Sequence, residues 1–191
     1  MRTFEPVKIA LPNDASQREQ PLQELLFGPL HSLVEGRVRT TGPVDQSFDT
    51  YVLIEAARRP DIKLLLEAFE TNYCCLYDGD AAEDFNRTAP FLARVEANSD
   101  FAEWLVNEHW GKKAAVFIRS NASLIDMRRQ FRKFTQIRDP ETNRWYHFRF
   151  YAPETARRIL PVLDPKDFAQ IAKGISAFIV ESADGKSAYL I

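Results

Sequence analysis

The sequence contains few of the residues on which several kinds of site depend: 2 Cys, 7 Gly and 3 His among 191 residues. Cys74 and Cys75 are adjacent and cannot form the disulfide framework of a small secreted domain. No Gly-rich phosphate loop and no G-x-S-x-G nucleophile elbow occurs. His31, His109 and His147 lie far apart, without a second ligand at metal spacing. The sequence therefore shows no recognisable catalytic set of these kinds, and we expect no cofactor.

Long apolar runs are also absent. None approaches the roughly 18 residues that a membrane-spanning helix needs, and the N-terminus lacks the basic start and apolar stretch of a signal peptide. The composition, 45% hydrophobic and 27% charged, is typical of a folded domain, and the length fits one domain. We expect a cytoplasmic protein of one domain that does not contact a membrane.

Charge is unevenly distributed along the chain. Residues 112–158 contain twelve basic and four acidic side chains, a net +8, whereas the remaining residues carry −10 and the whole chain −2. A basic surface of this kind attracts acidic partners at a rate that falls with salt. Solvated helix faces that pair with acids elsewhere in the fold would explain the same pattern, so both interpretations stay open.

Short apolar segments alternate with helix signals. Strands are predicted within 2–11 and at 51–54, 73–77, 91–95, 114–119, 135–138, 145–151, 176–181 and 187–191. Helices are predicted at 21–36 with a break at Gly28, and at 61–70, 100–110, 124–134, 153–160 and 164–174. The capping residues of the third and fourth helices are predicted to be Asp100 and Ser123. The pattern predicts an α/β (α+β) fold, with a mixed β-sheet flanked by helices and late antiparallel hairpins.

The segment 145–151, WYHFRFY, mixes aromatic and basic residues, as single-stranded nucleic-acid binders do. Its alternation, however, is that of a half-buried strand. The side predicted to face the core consists of Tyr146, Phe148 and Phe150. The opposite side consists of Trp145, His147, Arg149 and Tyr151. Because the sequence pI is also only about 6.0, we expect no nucleic-acid partner.

Asp78-Gly79-Asp80 follows a predicted strand, with Glu83 and Asp84 close behind. Carboxylates at the end of a strand can hold a divalent metal, which would suit a metal-dependent transferase or nuclease that uses the Asp78/Asp80 turn. Asp and Gly are also the preferred residues of turns. This enzyme is the alternative to a binding protein.

The order of several segments resembles one known family. The segments are 51–56, 75–79, 89–95, 108–111, 115–120, 124–134 and 147–153. Together, over about 51–160, they resemble the effector adaptor (chaperone) domain of bacterial type VI secretion systems. Two positions depart from that family's pattern: Glu55 replaces a frequent Asp, and Ala152 replaces the Asp of a Tyr-Asp-Pro sequence. The cap or partner contact that an Asp at position 152 would supply is not expected here.

The resemblance implies a non-enzymatic adaptor that binds a type VI effector in the cytoplasm and helps to load it onto the VgrG/PAAR spike. The predicted division is one adaptor domain over 1–191, with an N-terminal extension at 1–50, a family-like core at 51–160 and a helix-capped C-terminal hairpin at 161–191. The basic helix at 124–134 is the predicted partner surface. The candidate partner-binding residues are Arg128, Arg129, Arg132, Lys133, Arg149 and Trp110.

Overall fold

The computed structural model describes residues 5–29, 48–79, 88–139 and 141–191. The strands in these ranges are β1 Val7–Ala10, β2 Asp49–Glu55, β3 Tyr73–Cys75, β4 Pro90–Val95, β5 Ala115–Ser120, β6 Gln136–Arg138, β7 Trp145–His147, β8 Ile175–Glu181 and β9 Ser187–Leu190. The helices are α1 Glu19–Phe27, α2 Ile62–Ala68, α3 Asp100–Trp104, α4 Leu124–Phe131, α5 Pro153–Ile159 and α6 Pro165–Ile171. None of the helices in these ranges is both long and apolar enough to cross a membrane.

Seven strands form one sheet in the order β1-β9-β8-β5-β2-β4-β3, and β6 and β7 form a separate two-stranded sheet. Every pairing among the described strands is antiparallel. The predicted α+β class, with a helix-flanked sheet and a late β8–β9 hairpin, is confirmed. The sheet is antiparallel rather than mixed because the parallel strands that α2 and α3 connect are not neighbours: β4 lies between β2 and β3, and β2 lies between β4 and β5.

Helices cover both faces of the large sheet. One buried cluster packs α1, α2 and α3 against one face of the sheet. Leu22, Ile62 and Phe101 are among the residues that these helices contribute. A second cluster joins α4, α5 and α6 to the opposite face. The central strand β2 is therefore buried on both sides from Thr50 to Glu55, which explains its continuous apolar run.

The N-terminal residues that the structure describes belong to this architecture. β1 pairs with β9 at one edge of the sheet, and Leu25 and Leu26 of α1 are fully buried in the first cluster. Arg119 is buried on β5 and donates to the carbonyl of Gly28, just beyond α1, over 2.9 Å. Burial lowers the pKa of this guanidinium to about 10. Residues 5–29 thus pack on the core, while the predicted helix beyond residue 29 lies outside the described ranges.

Side-chain caps begin α3, α4 and α6, with one correction to the sequence analysis. Ser123 caps α4 as predicted and accepts from the amide of Asp126. The residue that caps α3 is Ser99, which accepts from the amide of Ala102, so the prediction of Asp100 was wrong by one position. A serine hydroxyl is as good a cap as a carboxylate, and here the extended backbone required of a cap falls on Ser99.

The segment 145–151 forms a shorter strand than predicted. β7 ends at His147, and the strand alternation stops there. Phe148 and Phe150 are buried as predicted, but Tyr146 is exposed and Tyr151 is buried. The prediction for Tyr146 was wrong because β7 pairs only with β6 and does not pack on the core. The prediction for Tyr151 was wrong because the strand ends at His147.

Candidate partner-binding surface

Helix α4 and the 3-10 turn that follows it carry four of the five basic residues singled out in the sequence. Met127 and Phe131 are fully buried in the second core cluster, which fixes the rotation of the helix about its axis. A 3-10 turn, Arg132–Phe134, continues the helix toward β6. The remaining positions of α4 therefore lie either at the margin of the core or in solvent.

Arg128 and Arg132 lie at that margin, where β3 ends. The Nε of Arg128 donates to the carbonyl of Cys75 over 2.8 Å, and one of its terminal nitrogens lies 3.1 Å from Asp78. Arg132 contacts the other carboxylate oxygen of Asp78 over 2.8 Å. The hydrogen bond from Arg128 and the charge of Arg132 lower the pKa of Asp78. Both arginines thus join α4 to the end of β3.

Arg129 and Lys133 lie on the outer side of the same helix. The side chain of Arg129 is 72% exposed, and its ion pair is with Asp126 of its own helix at 3.5 Å. Lys133 is exposed and has no ion pair among the described residues. With Arg128, Arg132 and the exposed Ile125, they line an open depression of about 460 Å³. This depression, which we call the α4 groove, offers four cations and one apolar side chain to a partner.

Arg149, a predicted partner-binding residue, contacts Glu55 within the fold. Its Nε donates to Glu55 at the end of β2 over 2.7 Å, and a terminal nitrogen contacts the same oxygen. Glu55 is only 1% exposed, and its other oxygen lies 3.5 Å from Arg58. Arg149 therefore neutralises a buried carboxylate of the sheet.

Trp110 is half-buried against the first core cluster. Its ring stacks on Phe117 with centroids 5.8 Å apart, and its indole N–H donates to the carbonyl of Gly185 over 3.0 Å. A Cβ on Gly185 would lie 3.1 Å from the Cα of Gly111, so the two loops pack backbone to backbone. Trp110 thus connects the loop before β5 to the β8–β9 turn.

The register brings three of the candidates to one end of the sheet. β2, β3 and β8 end there, and β4, β5 and β9 begin there. Arg128, Arg149 and Trp110 each bind the end or connecting loop of one of these strands. Arg129 and Lys133 are not drawn into these contacts. The six predicted residues therefore divide into side chains engaged by the fold and side chains open to solvent.

In the alternative metal site, the carboxylate of Asp78 is already paired within the fold. Asp78 is engaged by two arginines, while Asp80, Glu83 and Asp84 lie outside the described residues. Within the described ranges no three His, Cys, Asp or Glu side chains lie together as metal ligands would. Cys75 packs toward the first core cluster and Cys74 toward the second, and burial raises the pKa of Cys74 to about 11.

Two buried ionisable groups at this end of the sheet carried no signal in the sequence. Glu181, the last residue of β8, accepts from the amide of Gly111 over 2.6 Å, and burial raises its pKa to about 7. His109 stacks on Trp104 with centroids 4.8 Å apart, and burial lowers its pKa to about 4. In sequence Glu181 simply ends an apolar strand, so only the neighbouring loops reveal its burial.

The same end of the molecule shows the effect of Ala152. This residue occupies the cap position of α5 without a side-chain hydrogen bond. Pro153 follows at the first helical position, where a missing amide costs nothing. The helix therefore begins without the side-chain cap that the Asp of the resembled pattern would offer.

Comparison with known proteins places the chain in a family. Residues 50–170 match the family described as Domain of unknown function (DUF4123). No match was found among curated proteins or solved structures. The match runs from within β2 to within α6, and so includes α4, its groove, Trp110 and Arg149. The chain therefore belongs to the DUF4123 family.

Proposed function

We propose that this protein is a cytoplasmic adaptor that binds a type VI secretion effector and helps to load it onto the VgrG/PAAR spike. The ordered segments that resemble type VI adaptors support the class, as does membership of the DUF4123 family. The observation that carries a partner-binding role is the α4 groove, where four cations surround an exposed isoleucine. The proposal assigns no catalytic step to the chain.

The groove suits an acidic protein segment with at least one apolar side chain. Arg128 and Arg132 are held in place by Asp78, so their outward N–H groups lose little freedom when a partner binds. Arg129 and Lys133 add charge that the fold leaves largely uncompensated. Long-range attraction by such a cluster raises the association rate at low salt.

The first test is co-expression of the tagged protein with the effector and spike proteins encoded beside it, followed by affinity capture and size-exclusion chromatography. We expect a complex of defined stoichiometry that elutes ahead of the free chain. Its association rate should fall as salt increases. Elution of the chain alone, in the presence of folded partners, would contradict the adaptor function.

The variant that tests the groove is Arg129→Glu with Lys133→Glu. Both side chains are exposed, and within the described residues neither forms an ion pair with another element, so the fold should be retained. We expect capture to weaken at least about tenfold, mainly through slower association. Changing Arg128 or Arg132 would be less informative, because their loss also frees Asp78 and the end of β3.

The matched control reverses two exposed charges elsewhere, Arg158→Glu with Lys166→Glu. It changes the net charge equally but leaves the α4 groove intact. We expect it to bind the partners nearly as the wild type does. Equal loss in both double variants would indicate a general charge effect and would remove the groove from the proposal.

A further inference from the structure

The β6–β7 hairpin stands apart from both core clusters. All six residues of its strands are exposed, including three large apolar or aromatic side chains: Ile137 at 46%, Trp145 at 65% and Tyr146 at 48%. Ile137 and Tyr146 are directly opposite each other. An isolated two-stranded hairpin is marginally stable in water. This one displays its apolar side chains to solvent, which points to a use outside the fold.

Several hydrogen bonds join the described residues of the hairpin's turn. The amide of Asp139 donates to the carbonyl of Arg144, and the amide of Asn143 donates back to the carbonyl of Asp139, both over 2.9 Å. The carboxylate of Asp139 accepts from the amide of Glu141 over 2.8 Å and from the hydroxyl of Thr142 over 2.6 Å. The two strands are therefore joined by a turn that its own hydrogen bonds hold together.

One edge of this hairpin is free to accept another strand. The Asp139–Arg144 bond and the 3.0 Å bond from the amide of Phe148 to Thr135 fix which pairs are hydrogen-bonded. In an antiparallel ladder these pairs alternate with non-bonded ones. Trp145 and His147 therefore direct their N–H and C=O groups away from β6. Within the described part of the chain nothing bonds these groups.

The charge around the hairpin indicates which kind of segment would pair with the β7 edge. Residues 124–147 contain six basic and three acidic side chains, a net +3. Arg144 and Lys133 form no ion pair within the described ranges. Two copies of this positive segment would repel each other, which disfavours pairing between β7 strands of two molecules. An acidic, extended segment of another protein meets both the charge and the free edge.

We infer that the β7 edge, at Trp145 and His147, accepts an extended acidic-apolar segment of the partner protein as a third strand. This inference rests on the proposed adaptor function and names the segment that the adaptor recognises. The added strand would bond to the outward groups of β7 and place its apolar residues against Trp145 on one face and Tyr146 on the other. Main-chain bonds then supply affinity and the aromatic side chains supply selectivity.

The experiment compares two proline variants of the full chain in the same capture of the neighbouring effector and spike proteins. His147→Pro removes an N–H that faces outward from β7, without removing a bond inside the hairpin. Its matched control, Gln136→Pro, removes the outward N–H at the directly opposite position on β6. We expect His147→Pro to weaken capture about fivefold or more and Gln136→Pro to leave it nearly unchanged. Trp145→Ser should weaken capture at least about tenfold.

Amide hydrogen exchange supplies a readout that a loosened hairpin would not imitate. In the wild-type complex the amides of Trp145 and His147 should become protected, whereas the amide of Gln136 should not. Equal capture by the wild type, His147→Pro and Trp145→Ser would overturn the strand-addition inference and leave the adaptor function intact. Capture of neither partner by the wild type would overturn both.

Two other results would show that the hairpin binds something other than a segment of the partner protein. A dimer of the chain alone, dissociated by His147→Pro, would identify β7 as a self-association edge. Retention on single-stranded DNA at low salt, lost in Trp145→Ser, would identify the hairpin as a stacking surface for bases. Either result contradicts the inference of a protein strand.

Discussion

Two regions of this protein use the same basic residues in different ways. At the end of the sheet, Arg128 and Arg149 bind Asp78, Glu55 and a strand carbonyl, so their charges are largely satisfied within the fold. On the outer side of α4, Arg129 and Lys133 are exposed. The comparison shows that a basic segment is not one surface: part of its charge holds strand ends in place, and part stays exposed to solvent.

The largest expected effect in this comparison is the pH dependence of the free energy of unfolding that Glu181 causes at the end of the sheet. Its folded pKa is about 7, above its usual value of 4.5, because of burial. Between these values the folded state keeps a proton that the unfolded state has lost, so stability falls as pH rises from about 4.5 to 7. The contribution at pH 8 is a loss of up to about 3 kcal/mol.

Urea unfolding at pH 5, 6, 7 and 8 should show this loss as a gap between Glu181→Gln and the wild type that widens with pH. Glutamine keeps the acceptor for the Gly111 amide and never ionises. His109, with its pKa lowered to about 4, acts in the opposite direction, since stability falls as pH drops from about 6.5 to 4. That effect is common to both proteins and cancels in the difference. A gap independent of pH would contradict the assignment.

The next effect concerns Arg149 and the buried carboxylate of Glu55. Arg149→Ala leaves that carboxylate with only the 3.5 Å contact to Arg58, and we expect a loss of about 2 kcal/mol in the free energy of unfolding. Arg144→Ala, which removes an exposed arginine of the same segment, should change stability by less than about 0.5 kcal/mol. Adding Glu55→Gln to Arg149→Ala should recover part of the loss. If Glu55→Gln recovers none of the loss, the stabilising effect of Arg149 does not come from neutralising Glu55.

The smallest effect distinguishes two adjacent arginines of α4. Arg128→Ala removes the hydrogen bond to Cys75 and the contact with Asp78, at a cost of about 1 kcal/mol. Arg129→Ala removes only an exposed pair with Asp126, which contributes about 0–0.5 kcal/mol. In partner capture the order should reverse, with Arg129→Ala the more specific loss. Chemical unfolding measures the stability of the two variants, and partner capture measures their binding. Equal losses of both variants in both measurements would contradict the different roles of the two arginines.

Local signals predicted the elements well because they depend on neighbours in sequence. The apolar runs of β2, β4 and β5, the serine cap of α4 and the β8–β9 hairpin were confirmed. Two predictions failed where the backbone departed from the assumed pattern: Ser99 rather than Asp100 caps α3, and the strand alternation stops at His147. The antiparallel sheet was missed because strand–helix alternation does not state which strands lie next to each other.

The candidate site was predicted by residue type rather than by role. The run of basic residues correctly marked α4 as a charged helix, and the groove lies on it. Nothing in the sequence separated Arg128 from Arg129, although the helix turns each residue about 100° from the last. Nor did it show that Tyr146 is exposed, because its strand pairs only with β6 and packs on neither core.

The amount of apolar material, most positions of helices and strands, and the concentration of positive charge at residues 112–158 can be read from the amino-acid sequence. These follow from local conformational preference and from composition. Which charges are satisfied depends on the packing of the folded chain. The sheet register brings Glu55, Asp78 and Glu181 from distant segments to one end of the molecule, where arginines and loop amides meet them. Electrostatic energy depends on distance in space and on burial, and both are set by packing.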